Sequence, residues 1–205
     1  MDSSTSVQLI ECALRIIGNL LSGDDLMTDE MIKYGVINLL ERLLLHSFAT
    51  IRREAAWSLS NIAAGTKGQI QAITESNAFV NSLELIKDPI LDVAREAAWL
   101  ISNCLSGADL NICFKLAAQG VIQGLIYLIV HHIEPTILAI TLEGLNCIFQ
   151  QGLIVSQFGN GRNPFVDSFI NEGGVDFLEK LQEHKNDEIY TKTMSILEKY
   201  FPLEN

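Results

Sequence analysis

Residues 53–65 read REAAWSLSNIAAG and residues 95–107 read REAAWLISNCLSG. Trp57 and Trp99, the only two tryptophans among 205 residues, stand 42 positions apart, as do Asn61 and Asn103, and Gly65 and Gly107. One more step of 42 toward the N-terminus reaches ALRIIGNLLSG, where Asn19 and Gly23 keep their places and Arg15 stands in the tryptophan slot. A repeat of this length restricts the fold severely, because each unit is too small to bury its own apolar face and must stack on its neighbours.

A second marker lies between the first ones: MIKYGVINLLERLL around Gly35, ITESNAFVNSLELI around Asn77, KLAAQGVIQGLIYLI around Gly120 and FINEGGVDFLEKL around Gly174. Each reads as a short helix, a Gly or Asn stop, and a second apolar helix. With the helix that carries Trp and Asn, every repeat holds three helices. An all-helical unit of about 42 residues fits the armadillo or HEAT class. The expected fold is all-α, a right-handed superhelical solenoid of about four and a half armadillo repeats.

Residues 1–6 are expected to be disordered and 7–205 to form the repeat domain, with a partial first repeat at 7–23 and further repeats at about 28–65, 69–107, 111–152 and 164–201. Residues 7–21 form a third helix without a first and second before it. This predicts an open apolar edge around Leu14 and Ile17, and self-association through it. NDEIYTKTMSILEKYF intersperses charges as a capping repeat should. Gln150–Phe169, with FGNGRNPF, reads as an unusually long connection; its glycines mark a turn, and it lacks the strand, Lys and Ser or Thr of a phosphate loop.

Composition narrows the function. There are 25 acidic and 14 basic residues, a net charge of −11, so nucleic acid is repelled and a basic partner attracted. The longest apolar run, Val121–Val130, is too short to cross a membrane. MDSSTS lacks the pattern of a signal peptide, which points to cytosol or nucleus. Cys12, Cys104, Cys113 and Cys147 form no C-x-x-C pair and read as buried reduced thiols. His131 and His132 diverge on a helix with no third ligand at metal spacing. No catalytic constellation, metal site or cofactor site is expected, and an enzyme is not.

On a helical wheel Ile51, Ala55, Leu59 and Ile62 share one arc, as do Val93, Ala97, Ile101 and Cys104 in the next copy. These stripes are the core. Glu54, Trp57 and Asn61 share a different arc, nearly opposite, and Glu96, Trp99 and Asn103 repeat it. A tryptophan there could pack against a neighbouring repeat. Three features favour the surface instead: the recurrence with Asn and Glu on the same helix face, the charged Arg15 in the equivalent slot, and the use of such helices as the binding surface of solenoids.

An exposed ladder of this kind suits an extended basic peptide. An Asn amide offers both donor and acceptor to a peptide main chain. Indoles form slots for Lys and Arg stems, with cation–π attraction of about 0.5–2 kcal/mol each, and Glu54 and Glu96 are placed to meet the cationic heads. Packed helices lie about 8–10 Å apart, so three rungs suit about five or six residues of extended chain.

The ordered set ALRIIGNLLSGDD, REAAWSLSNIAAG, REAAWLISNCLSG, GNGRNPF and HKNDEIYTK…LEKYF resembles the C-terminal half of importin-alpha, the adaptor of nuclear localisation signals, over nearly the whole chain. The resemblance implies a minor peptide site made by Arg15, Asn19 and the Leu21, Ser22, Gly23 and Asp25 turn, then Glu54, Trp57, Ser60 and Asn61, then Glu96, Trp99 and Asn103. It also implies a recycling exportin at the last repeat, or nucleoporins in an alternative reading where that repeat is the main platform. Shuttling between cytoplasm and nucleus follows, with importin-beta as partner only where a basic N-terminal segment is present. Two departures stand out: Cys12 replaces Glu at the slot of Glu54, and Glu143 and Cys147 do not continue the ladder.

Overall fold

The computed structural model describes residues 3–158 and 161–202. It divides into two compact units, with the boundary between Ala108 and Asp109. The described residues are helical throughout, joined by turns.

The first unit contains α1 (Ser3–Leu21), α2 (Asp25–Lys33), α3 (Val36–Leu43), α4 (Ala49–Ala63), α5 (Lys67–Glu75), α6 (Ala78–Leu85) and α7 (Leu91–Ser106). Helix α1 already runs from Ser3, so 3–6 are helical where disorder is expected from sequence, and Met1 and Asp2 lie outside the described residues. Helices α2 and α5 also start ahead of the repeat limits of 28 and 69. Their N-caps explain this. Asp24 accepts the Met27 amide at 2.8 Å, and Thr66 and Gln69 form a reciprocal capping box. The stop between α2 and α3 is Gly35 at φ 84°, a left-handed conformation suited to glycine.

Helix α4 is packed between α1 and α7. Ile51, Ala55, Leu59 and Ile62 are fully buried, and Val93, Ala97, Ile101 and Cys104 nearly so, as the helical wheel predicts. Ala56, Ser58 and Ala63 are buried too, which leaves room for close helix approach; the Ser58 hydroxyl donates to the Glu54 carbonyl at 2.8 Å. On α1 the large apolar side chains Leu9, Ile16 and Leu20 are exposed, whereas Leu14, expected at an open edge, is buried.

The second unit contains α8 (Leu110–Ala118), α9 (Val121–His131), α10 (Pro135–Phe158), α11 (Pro164–Asn171), α12 (Gly174–Lys180), a 3-10 turn at Leu181–Glu183 and α13 (Asp187–Tyr200). The long connection expected over Gln150–Phe169 is mostly helix. QGLIVSQF continues α10 to Phe158, and α11 begins at Pro164, capped by Asn163, whose Oδ1 accepts from the Phe165 and Val166 amides. The Asn163 amide also donates to the Phe149 carbonyl at 2.8 Å. Between α11 and α12 the left-handed residue is Gly173 at φ 74°, one position before the glycine singled out in the sequence.

By length and composition α10 passes as a membrane span, but over half of its most apolar window is buried within the protein. Its Phe149 stacks edge-on with Phe169, Tyr200 and Phe201 at centroid distances of 5.2–5.9 Å, forming the aromatic core of this unit. Cys104 and Cys113 are buried thiols, Cys147 is half-buried, and Cys12 is exposed, contrary to the sequence reading.

Candidate peptide-binding groove

The third helices of three successive repeats, α1, α4 and α7, carry the ladder, and all three belong to the first unit. The indole of Trp57 is half-buried and that of Trp99 is 41% exposed. Trp57 leans on α1 at Gly18: a Cβ added there would lie 2.2 Å from the indole Cζ3. The absence of a side chain at residue 18 is what admits the ring.

The asparagines are tied in the same direction. Asn61 Nδ2 donates to the Gly18 carbonyl at 3.0 Å, and Asn103 Nδ2 donates to the Ser60 carbonyl at 3.0 Å. Each bond spans one repeat and uses one amide N–H, leaving the amide oxygen and the second N–H for other partners. The asparagines therefore join successive third helices. Ser60 is buried, and its hydroxyl donates back to the Trp57 carbonyl at 2.8 Å; its part in this face is structural.

Two hollows open along the ladder. The first, about 440 Å³, is lined by Arg15 and Asn19 of α1, Arg53, Glu54 and Trp57 of α4, and Asp92, Arg95 and Glu96 of α7. The second, about 210 Å³, brings the Leu21, Ser22, Gly23 and Asp25 turn together with Thr28, Asn61, Ala64, Gly65 and Gln69. Leu21 is buried and Ser22, Gly23 and Asp25 are exposed. Trp99 and Asn103 lie on the same face of α7 as Glu96.

Glu54 is not a free carboxylate awaiting a ligand. It is buried, with Arg15 at 2.8 Å and Arg53 also on its Oε1. Burial pushes its carboxyl up, but the hydrogen bonds from Arg15 and Arg53 outweigh this and hold it below the ordinary range. Glu96 is the opposite case: burial raises its carboxyl, and the charges of Arg53 and Arg95 offset that only in part. Of the two glutamates, Glu96 is the one placed to gain from an incoming cation.

Arg53, Asp92 and Arg95 are the groove residues that sequence reasoning overlooks. The signal is present in the leading R of both REAAW copies, 42 residues apart like the tryptophans. Thr28 and Gln69 are overlooked too; Gln69 Nε2 bonds the Asp25 carbonyl and Asp29 across one repeat. In the second unit, α10 carries Asn146 followed by Cys147, as α7 carries Asn103 followed by Cys104. Asn146 lies 43 residues beyond Asn103 and escapes a strict 42 register. Its side-chain oxygen accepts the Tyr200 hydroxyl at 3.0 Å.

Comparison with known proteins matches residues 24–64 to the armadillo/beta-catenin-like repeat and 163–205 to the atypical Arm repeat. Importin subunit alpha-1b of Oryza sativa subsp. japonica is 36% identical over 198 residues, covering 96% of this chain and 37% of the relative. Importin subunit alpha-4 of Arabidopsis thaliana is 37% identical over 157 residues, covering 76% and 29%. The chain belongs to the importin-alpha family of armadillo-repeat proteins. It spans little more than a third of those relatives' length at most. Among solved structures, a designed armadillo repeat protein in complex with peptide (KR)4 superposes with TM-score 0.81 at 28% identity, over 93% of this chain and 75% of that one.

Proposed function

We propose that this importin-alpha family member binds short, extended basic peptides of the nuclear localisation signal class along α1, α4 and α7, as part of an import adaptor that shuttles between cytoplasm and nucleus. The observation that carries the reading is the register of three rungs on one face: Arg15 and Asn19, Trp57 and Asn61, Trp99 and Asn103, with a hollow of about 440 Å³ beside them. The designed armadillo repeat protein with the same fold is in complex with the peptide (KR)4.

The roles divide by chemistry. Trp57 and Trp99 take the methylene stem of a Lys or Arg between their faces. Glu96 meets its cationic head. Asn19 holds the peptide main chain through its side-chain amide, and Asn61 and Asn103 do so through the amide groups their interhelical bonds leave over. Glu54 holds Arg15 and Arg53 in place, and the 21–25 turn with Thr28 and Asn61 bounds the second hollow. Titration of a labelled basic peptide into the wild type and into a Trp57→Ala, Trp99→Ala double variant tests the reading. The double variant should bind at least tenfold more weakly, as expected for loss of two aromatic contacts of about 1 kcal/mol each. Equal affinities would sink it.

A hollow of about 580 Å³ on α13, lined by Tyr190, Met194 and Glu198 among others, favours a second reading in which the last repeat docks the recycling exportin or a nucleoporin. Charge reversal at Glu188 and Lys192 should then weaken pull-down of exportin with its GTP-loaded GTPase, while Trp57→Ala leaves it unchanged. The reverse pattern rules this reading out.

A further inference from the structure

Helix α1 carries an apolar stripe that the peptide groove does not use. At about 100° per residue, Leu9, Ala13, Ile16 and Leu20 fall within an arc of about 60°. All four are exposed, Leu9 at 68% and Ile16 at 62%. One repeat on, the same register holds Ile51, Ala55, Ser58 and Ile62, and two repeats on it holds Val93, Ala97, Leu100 and Cys104; every one of these is fully buried. Helices α4 and α7 pack on the helices before them, α3 and α6. The buried side of α1, formed by Leu14, Gly18 and Leu21, is a different one, and Gly18 meets Trp57 of α4 there.

The stripe carries no charge. The two charged residues of α1 are engaged elsewhere: Glu11 accepts the Thr50 hydroxyl, and Arg15 reaches Glu54 at 2.8 Å, both on α4. Contact along the stripe therefore sets no like charges of α1 face to face.

The spacing selects the occupant. Steps of 4, 3 and 4 residues make a heptad seam, and they read the same from either end. An antiparallel copy of α1, related by a two-fold axis between Leu14 and Arg15, sets Leu9 against Leu20 of the second copy and Ala13 against Ile16 of the second copy, each pair occurring twice. At the centre a small residue faces a large one. Leucines meet at the two ends, about 16 Å apart along the helix.

We propose that two copies of this chain pair through the stripe as an antiparallel α1–α1 dimer. Self-association is expected from the sequence through Leu14 and Ile17; the burial of Leu14 moves it to this neighbouring face. Three large side chains per copy fall short of the area of about 800 Å² that each partner buries in a stable complex. The dimer is accordingly weak and concentration-dependent. Arg15 and Asn19 lie about 90–130° round α1 from the stripe, so pairing leaves the groove face open.

Sedimentation equilibrium of the 205-residue chain between about 5 and 200 µM, the range suited to a small interface, decides the matter. The mass should rise from 22.7 kDa toward twice that value and stop there. Ile16→Glu should remain monomeric throughout. Ala13→Ile separates a fitted seam from a merely sticky one. It enlarges the apolar surface but fills the seat of Ile16 of the second copy, so it should weaken the dimer about fivefold. Ala13→Ile combined with Ile16→Ala regenerates the large-small pair and should restore the affinity. Both positions are exposed in the single copy, so these variants keep the fold. A wild type that stays at 22.7 kDa overturns the pairing and leaves the stripe to a helix of another protein. A mass that grows past the dimer, an Ile16→Glu protein that still dimerises, or tighter association of Ala13→Ile overturns it as well.

Discussion

Trp57 stands on Gly18 of the preceding repeat, so closely that a methyl group at residue 18 would lie 2.2 Å from the indole. The Gly18 carbonyl accepts Asn61 from the same helix at 3.0 Å. One glycine thus seats both members of a rung. Gly18→Ala should raise the helix propensity of α1 by about 0.5–1 kcal/mol and cost about 1–3 kcal/mol through overpacking. The expected sum is a destabilised protein in urea, a shifted tryptophan emission and weaker peptide binding. A more stable protein with unchanged emission would contradict the contact.

The interhelical asparagine bonds can be separated from their role toward a ligand by changing one atom group. Asn61→Asp keeps the acceptor oxygen but replaces the Nδ2 donor with a carboxylate oxygen facing the Gly18 carbonyl. It should lower stability by about 2 kcal/mol, against about 1 kcal/mol for Asn61→Ala, because repulsion with an unsatisfied acceptor costs more than simple loss of the bond. Urea midpoints of the two variants provide the check. If Asp is tolerated as well as Ala, the bond contributes nothing.

The repeat was legible because 42-residue spacing and the 3.6-residue period act on the same residues. Ile51, Ala55, Leu59 and Ile62 could be placed in the core by periodicity alone, and they are buried. That Glu54, Trp57 and Asn61 share a second face was legible for the same reason, but not that Glu54 is buried there and Trp57 half-buried. What periodicity could not show was which side chains reach across repeats. Arg15 occupies the register of Trp57, yet its guanidinium ends on Glu54, 39 residues away. That contact turns Glu54 from a ligand group into a support. Gly18 gave no warning either, since its counterpart in the next repeat is Ser60. The extension of α10 to Phe158 was hidden by the turn signal of the following Gly-Asn-Gly, which lies after the helix end and not before it.

The cysteines should fall into kinetic classes with a thiol reagent. Burial pushes the Cys104 thiol far up, and burial, with smaller contributions from Asp109 and Cys147, pushes Cys113 up to about 12. Neither is a thiolate at pH 8, and neither is accessible. Cys12 is exposed and should react first, with Cys147 slower. Cys104 and Cys113 should react only at the rate at which the helices open, and quickly in denaturant. Fast modification of all four in the native protein would mean that the helices are not stacked as described.

Glu54 and Glu96 should give pH dependences of opposite sign. The Glu54 carboxyl is held below its ordinary value of 4.5 in the folded state. Its contribution is therefore complete above that value and is lost as pH falls through the folded pKa. Glu54→Gln should cost about 1–2 kcal/mol at pH 7, since it removes the negative charge that Arg15 and Arg53 share while keeping an acceptor oxygen; both guanidiniums are partly exposed, so the penalty stays below that of a fully buried pair. That deficit should shrink in strongly acidic solution. The Glu96 carboxyl is raised above 4.5, chiefly by burial, so its charged form destabilises the fold and protonation relieves it. Glu96→Gln should accordingly stabilise the protein at pH 7, and the gain should fade as pH drops through the raised pKa toward 4.5 and vanish below it. The same substitution removes the carboxylate best placed to receive a ligand's cation, so the more stable variant should bind a basic peptide less tightly. Thermal melts of both variants between pH 3 and 8, with peptide titrations at pH 7, measure these effects together. A Glu96→Gln protein that is less stable at pH 7 would show that the half-buried carboxylate is satisfied by its surroundings and is not held in reserve for a ligand.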